Sequence, residues 1–180
     1  LTAKNQEDNA GCFADSTPMD CYIGLTLDRL ATVNIDNLII IENFTPFVRM
    51  TEQNLAYIEG LNEGSTLLVY RGHDSQTVYA NLELLKKLHC KKYIFTDYDF
   101  AGLNLAVDLS KKIVADGVIL PSLTIPKAEL KRLSNFDARL LQTATNTDKI
   151  TTHYQRLKDE FLAITQESLL YHCLDLRIFS

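Results

Sequence analysis

The chain has 180 residues, a formal net charge of -5 at pH 7, and a hydrophobic content of 46%. This length and hydrophobic content exclude a disordered or fibrous protein and are sufficient for a compact domain with its own core. The acidic balance excludes a strongly basic nucleic-acid-binding protein. Any affinity for DNA is therefore expected to depend on another domain or partner.

The sequence lacks the features of membrane insertion and of secretion. It contains no run of about 18 apolar residues, and no apolar signal segment stands near its start. We therefore expect a cytoplasmic protein that does not contact a membrane.

The cysteines lie far apart in the chain, and none of them belongs to a CxxC pair. Reduced thiols are the favoured interpretation, because a domain of this size does not depend on disulfides. Two disulfides are the alternative, and a zinc site is not expected because no Cys/His cluster has the spacing of zinc ligands. The residues concerned are Cys12, Cys21, Cys90 and Cys173.

Residues 1–36 precede the first buried apolar run, and the first twenty of them are polar and rich in turn formers. We interpret them as an N-terminal lead-in or as the remnant of an upstream domain, with short strands expected between residues 21 and 36. The chain begins at Leu1 and not at a methionine, which indicates a fragment of a longer protein or a processed chain.

Residues 37–122 alternate between continuous apolar segments and segments with helical spacing of apolar residues. This spacing predicts helices at about 46–60, 75–89 and 102–116. Such alternation is typical of a parallel sheet with right-handed crossovers. The sequence thus predicts an α/β, Rossmann-like domain in which a parallel four-stranded sheet is flanked by helices. The predicted strands are NLIII (37–41), TLLVY (66–70), YIFT (93–96) and GVIL (117–120).

Beyond residue 122 the apolar spacing remains helical. It predicts helices at about 126–133, 136–144 and 147–173. We therefore expect residues 123–180 to form a helical C-terminal extension of the sheet domain.

Acidic side chains follow two of the predicted strands. Glu42 ends the first strand, whereas Asp97 and Asp99 follow the third. Because the carboxyl ends of parallel strands meet at one edge of a sheet, these acids converge if the first and third strands are neighbours. Helix N-caps and loop hydrogen bonds are the structural alternative for such residues.

Converging carboxylates repel one another unless a cation lies between them. Oxygen ligands of this kind select Mg²⁺ or Mn²⁺ over zinc. A metal held by Glu42, Asp97 and Asp99 would polarise a phosphate group or activate a bound water. The pattern therefore predicts a magnesium site for phosphoryl-transfer chemistry.

Two segments carry a resemblance to a known family: IIIENFTPF (39–47) and YIFTDYDFAGLNLA (93–106). Together they resemble the Toprim domain, in the branch that contains the DNA-cutting subunit of topoisomerase VI and the nuclease subunit of Wadjet-type plasmid-defence systems. The acidic motif of that branch commonly reads D-x-D-x-x-G, which Asp97, Asp99 and Gly102 match. The resemblance covers about residues 36–122.

The resemblance implies metal-dependent cleavage of DNA phosphodiester bonds within a larger assembly. Glu42 would then be a metal ligand or general base, and Asp97 and Asp99 would bind Mg²⁺ or Mn²⁺. Other subunits or an upstream domain would supply DNA affinity, and a homodimer is a further expectation because Toprim nucleases often dimerise. A Gln-Glu pair near the C-terminus of Wadjet-type nucleases resembles Gln166-Glu167, which makes Glu167 an additional acidic candidate; an exposed helix face is the alternative.

Topoisomerase VI cuts DNA with a tyrosine on a separate winged-helix domain that precedes the Toprim fold. Residues 1–36 are too short for such a domain, and Tyr22 is interpreted as a packing residue. The chain therefore resembles a metal module, which is hydrolytic if complete or one half of a tyrosine-dependent site if truncated.

Cationic side chains after the second and fourth strands are candidates for contacting a phosphate. They are Arg71, His73 and Lys127. Structural or loop-capping roles are the alternative for each of them.

Two other functions remain as alternatives. The first is a non-catalytic interaction module of Toprim-like or receiver-like fold. The second is a phosphatase of the haloacid dehalogenase type, in which Asp97 would be the nucleophile and Asp99 the general acid.

Overall fold

The computed structural model describes residues 2–5, 23–24, 34–61, 63–72, 82–137 and 150–180. The strands are β1 (Thr2–Asn5), β2 (Ile23–Gly24), β3 (Asn37–Ile41), β4 (Ile58–Glu59), β5 (Thr66–Tyr70), β6 (Lys91–Phe95), β7 (Gly117–Pro121) and β8 (Leu176–Phe179). The helices are α1 (Phe44–Arg49), α2 (Glu52–Ala56), α3 (Phe100–Ile113), α4 (Lys127–Leu133), α5 (Thr151–Glu160) and α6 (Gln166–Tyr171). Residues 82–87 are also helical.

The strands form one mixed sheet in the order β2-β1-β5-β3-β6-β7-β8-β4. Its centre consists of β5, β3, β6 and β7, which are mutually parallel and correspond to the predicted strands. The α/β class is therefore confirmed. The first and third predicted strands, β3 and β6, are neighbours, which is the condition for the acids to converge. The sheet has more strands than the four predicted and is not wholly parallel, because β1 pairs antiparallel with β5 and β8 pairs antiparallel with β7.

The central strands are buried on both faces. Every residue of β3 and β7 is buried, and the core continues into the apolar side of α3. Strands covered on both faces read as continuous apolar runs, which is why NLIII and TLLVY are recognisable in the sequence.

The helix predicted at 46–60 is two short helices, α1 and α2. Met50 is extended, with ψ 128°, and Thr51 begins α2 as its N-cap. The Thr51 side chain accepts from the Asn54 N–H at 3.4 Å, while the Asn54 side chain accepts from the Thr51 N–H at 2.9 Å. This reciprocal pair starts a new helix where apolar spacing alone suggests continuity. Phe47, Met50 and Ile58 are all buried, and Ile58 lies in β4 and not in a helix.

The helix predicted at 147–173 is also interrupted. α5 ends where Phe161 adopts φ 53°, in the left-handed region. Thr165 then caps α6 by accepting from the Ser168 N–H at 3.3 Å. The C-terminal extension is therefore not wholly helical, since α6 is followed by β8 in the central sheet.

Parts of two other predicted helices lie outside the described residues. Only 82–89 of the helix predicted at 75–89 is described, and 82–87 of it is helical. The helix predicted at 136–144 lies mainly within 138–149, which is outside the described part, while the helix predicted at 126–133 is confirmed as α4.

Within the described ranges, no helix is long and apolar enough to cross a membrane. Cys90 and Cys173 are free thiols, and the positions of Cys12 and Cys21 lie outside the described residues.

Candidate metal centre

The ends of β3 and β6 bring two of the predicted acids together. Ile41 and Phe95 are register partners of these parallel strands, so the residues that follow them leave the sheet side by side. The Glu42 N–H donates to the Phe95 carbonyl at 3.1 Å, and the Asp97 N–H donates to Glu42 Oε2 at 3.1 Å. Strand pairing therefore continues into a contact between the two candidate ligands.

The Asp97 carboxylate is fixed by two further donors. Its Oδ1 accepts from Asn43 Nδ2 at 2.9 Å and from the Gln166 N–H at 2.7 Å. One donor follows β3 and the other begins α6. Hydrogen bonds of this kind favour the ionised carboxylate and hold its orientation.

Asp99 is the N-cap of α3. Its Oδ1 accepts from the Gly102 N–H at 2.7 Å, so the structural alternative for this residue is confirmed for one of its two oxygens. A Cβ on Gly102 would overlap the Asp97 carbonyl oxygen. Glycine at this position therefore lets the first turn of α3 pack against the backbone of Asp97.

The residue between the two aspartates enters the core. Tyr98 is buried, its hydroxyl lies 3.0 Å from His153 Nδ1, and its backbone exchanges hydrogen bonds with Ile164 at 2.8 and 3.1 Å. Burial raises the pKa of Tyr98. Adjacent residues of an extended segment face opposite ways, so anchoring Tyr98 in the core holds Asp97 and Asp99 on the other side.

Burial opposes the charged forms of Glu42 and Asp97. The pKa of Glu42 is raised chiefly by burial, to which the charges of Asp97 and Asp99 add, while the Asp97 N–H and Arg71 act in the opposite direction. The pKa of Asp97 is also raised chiefly by burial and by the charges of Asp99 and Glu167, against the Gln166 and Asn43 hydrogen bonds. A cation between these carboxylates would favour their ionised forms.

The free oxygens of the acids are suited to a hard cation. Within the described part of the chain, one oxygen of each acid accepts a hydrogen bond and the second does not, which leaves Glu42 Oε1, Asp97 Oδ2 and Asp99 Oδ2. No group of three or more His, Cys, Asp or Glu among the described residues is placed to hold a metal ion. The donors therefore fit a Mg²⁺ that uses one or two carboxylates and keeps several waters, not a complete protein cage.

Gln166 is a central residue of the site, although the Gln166-Glu167 pair enters the sequence analysis only as the source of the acidic candidate Glu167. It is 0% exposed; its Nε2 donates to the Phe95 carbonyl at 2.9 Å, and its Oε1 accepts from the Asn43 N–H at 2.9 Å. The alternative of an exposed helix face is therefore wrong for Gln166. The resemblance of the Gln166-Glu167 pair draws attention to this position, but these contacts cannot be predicted from local sequence because the partners lie 71 and 123 residues away.

A comparison with protein families places this site within one domain. Residues 3–178 match the sequence model of the family described as "Domain of unknown function (DUF7281)". The chain belongs to the DUF7281 family. No curated protein matches the chain. The DUF7281 match includes α6 and most of β8, so Gln166 and the acids belong to the same family domain.

The remaining predicted residues of this DUF7281 domain have different positions. Arg71 follows β5, donates its backbone N–H to the Ile41 carbonyl at 3.0 Å and acts electrostatically on Glu42. Glu167 lies in the first turn of α6 and acts electrostatically on Asp97. Lys127 is exposed at the start of α4, and no hydrogen bond or ion pair within the described residues joins it to the acids. His73 lies outside the described residues.

Proposed function

We propose that this DUF7281 domain is a nuclease module with a Toprim-like core, which cleaves DNA phosphodiester bonds with Mg²⁺ or Mn²⁺. The observation that carries the proposal is the pairing of Glu42 with Asp97 at the ends of neighbouring parallel strands. The D-x-D-x-x-G segment adds support, because Gly102 allows the helix behind the acids to approach Asp97. The proposal extends to a cytoplasmic location, to other subunits or an upstream domain that supply DNA affinity, and to a homodimer.

Different residues at this edge of the sheet would have different roles in cleavage. A bound Mg²⁺ would polarise the scissile phosphate and stabilise its developing charge. Asp97, oriented by Asn43 and Gln166, would hold the metal together with Asp99 or Glu42. The raised pKa of Glu42 also suits a general base that accepts a proton from the attacking water. Arg71 would offset the negative charge of the phosphate.

A non-catalytic interaction module is the second candidate. It is favoured by the finding that no three acidic side chains of the described residues are placed to hold a metal ion. In that case the hydrogen bonds on Glu42, Asp97 and Asp99 would serve the fold alone.

Metal binding and cleavage by the full chain distinguish these candidates. We would titrate Mn²⁺ by electron paramagnetic resonance and follow cleavage of plasmid DNA with Mg²⁺, with Mn²⁺ and with a chelator. Asp97→Asn and Glu42→Gln should each lower the cleavage rate at least about 100-fold, which is the lower end for loss of an acid–base or ligand group.

Asp108→Asn is the matched control, because Asp108 is an exposed acid on α3 away from the strand ends. It should change the rate less than twofold. A wild-type chain that neither binds Mn²⁺ nor cleaves DNA contradicts the nuclease proposal and favours the interaction module.

A further inference from the structure

A cavity of about 480 Å³ lies between α1 and α6. Arg49 and Thr45 line it from α1, and Glu167, Tyr171 and His172 line it from α6 and the residue that follows. None of these residues except Glu167 takes part in the candidate metal centre.

The start of α6 connects the cavity lining to the metal centre. Gln166 donates its N–H to Asp97, and the next residue, Glu167, lines the cavity. On the opposite side, Asn43 contacts Asp97 and Gln166, and Thr45 lies two residues further along the chain. A chain molecule whose phosphate reached the acids would therefore have its neighbouring unit at this cavity.

The cavity presents a cation and an unusually exposed aromatic ring. Arg49 is exposed and has no hydrogen-bond or ion-pair partner among the described residues. Tyr171 is 84% exposed, the highest value among the large exposed apolar side chains of the described part. Its ring packs edge-on against His172, with centroids 5.0 Å apart, so the imidazole supports the ring position.

A positive side chain beside a supported aromatic ring fits a nucleotide. Bases stack on exposed aromatic rings whatever their identity, and arginine binds the phosphate beside them. Glu167 is the acidic residue of this lining, and its charge acts on Asp97. The base of a duplex has both faces covered by its neighbours, so a ring placed in this way fits an unpaired strand.

We propose that this cavity is a binding subsite for one nucleotide of an unpaired nucleic-acid strand, with the base on Tyr171 and a phosphate on Arg49. The proposal rests on the proposed nuclease function, because it assigns the subsite to the strand that enters the metal centre. It is separable from that function, because binding is measured without metal.

The test is fluorescence anisotropy with a labelled single-stranded oligonucleotide, at low salt and with a chelator present. Tyr171→Ala and Arg49→Ala should each weaken binding about tenfold or more, in line with the loss of a stacking platform or a phosphate contact. The controls are Tyr57→Ala and Arg132→Ala, which remove an exposed tyrosine and an exposed arginine outside the cavity lining and should change affinity less than twofold. Thermal unfolding of the exposed Tyr171 variant should match that of the wild type.

Several results overturn the inference. They are wild-type affinity in both cavity variants, equal affinity for the duplex of the same sequence, and no binding of the oligonucleotide by the wild-type chain. Cleavage that is lost in the Asp97 variant but unchanged in both cavity variants contradicts the nucleotide subsite and supports the nuclease proposal. If the variants show the expected loss of binding but the wild-type chain cleaves no DNA, the nucleotide subsite is supported and the nuclease proposal is contradicted.

Discussion

Replacement of Gln166 by leucine removes the amide that joins three segments of the site. The Gln166→Leu variant keeps the backbone N–H that donates to Asp97, and it keeps a side chain of similar volume. It loses the acceptor of the Asn43 N–H and the donor to the Phe95 carbonyl, both at 2.9 Å. The change therefore isolates the contribution of the side-chain amide.

The two lost hydrogen bonds do not have equal weight. The part-buried Asn43 N–H is left without its acceptor, which costs about 1–3 kcal/mol where water does not take the place of the lost acceptor. The Phe95 carbonyl still accepts from the Glu42 N–H at 3.1 Å. Losing the hydrogen bond from Gln166 to this carbonyl should therefore cost only the net value of one hydrogen bond, about 0.5–1.5 kcal/mol. We therefore expect the free energy of unfolding to fall by about 2–4 kcal/mol.

Urea unfolding of the full chain at constant pH measures this loss. With an m-value of about 2 kcal/mol/M, the midpoint should fall by about 1–2 M urea. Gln155→Leu is the control, because Gln155 is exposed on α5 and its side chain, among the described residues, hydrogen-bonds only to Asp159 one turn away. A Gln166→Leu midpoint that moves no more than that of Gln155→Leu would refute the reasoning, since the amide would then contribute nothing that water cannot replace.

Three further changes test other parts of the fold. Gly102→Ala forces a methyl group against the Asp97 carbonyl and should lower the free energy of unfolding by about 1–3 kcal/mol in urea. Thr51→Ala removes the cap of α2 and should cost about 1 kcal/mol in the same assay. Burial lowers the pKa of His153 from 6.5 to about 4. Between these two pH values the unfolded chain binds a proton that the folded chain does not. The contribution of His153 to the free energy of unfolding is therefore complete above pH 6.5 and is lost as the pH falls towards 4. The loss should approach about 3 kcal/mol and be absent in His153→Gln; equal pH profiles of urea midpoints for the two proteins would contradict it.

The central strands can be predicted from the sequence because their signal is local. β3 and β5 begin and end at the predicted residues, since strands covered by helices on both faces are uninterrupted runs of apolar side chains. The adjacency of β3 and β6 is one of the strand orders that parallel sheets adopt, and the structure shows that this chain adopts it. The pairing of Glu42 with Asp97 follows from that adjacency and needs no further information.

The predictions are wrong where a contact distant in sequence overrides local spacing. β8 is only four residues long, and its partner β7 lies more than 50 residues earlier, so no local pattern indicates it. The segment before α6 is extended because Ile164 pairs with the backbone of Tyr98, although its apolar spacing suits a helix. Apolar periodicity reports which residues are buried, but it does not report which distant backbone satisfies their hydrogen bonds.

These distant contacts give the C-terminal segment a different structural role from the predicted one. Its apolar spacing predicts a helical appendage to a complete sheet domain, yet it supplies β8 to the sheet and the Ile164 and Gln166 contacts to the acidic loop. Tyr98 is held from the core side by His153 and Ile164, while Asp97 is held from the other side by Gln166. The orientation of the aspartates therefore depends on residues that follow them by more than 50 positions. A fragment that ends after the fourth parallel strand would keep Glu42, Asp97 and Asp99 but would lose the groups that hold the aspartates in position.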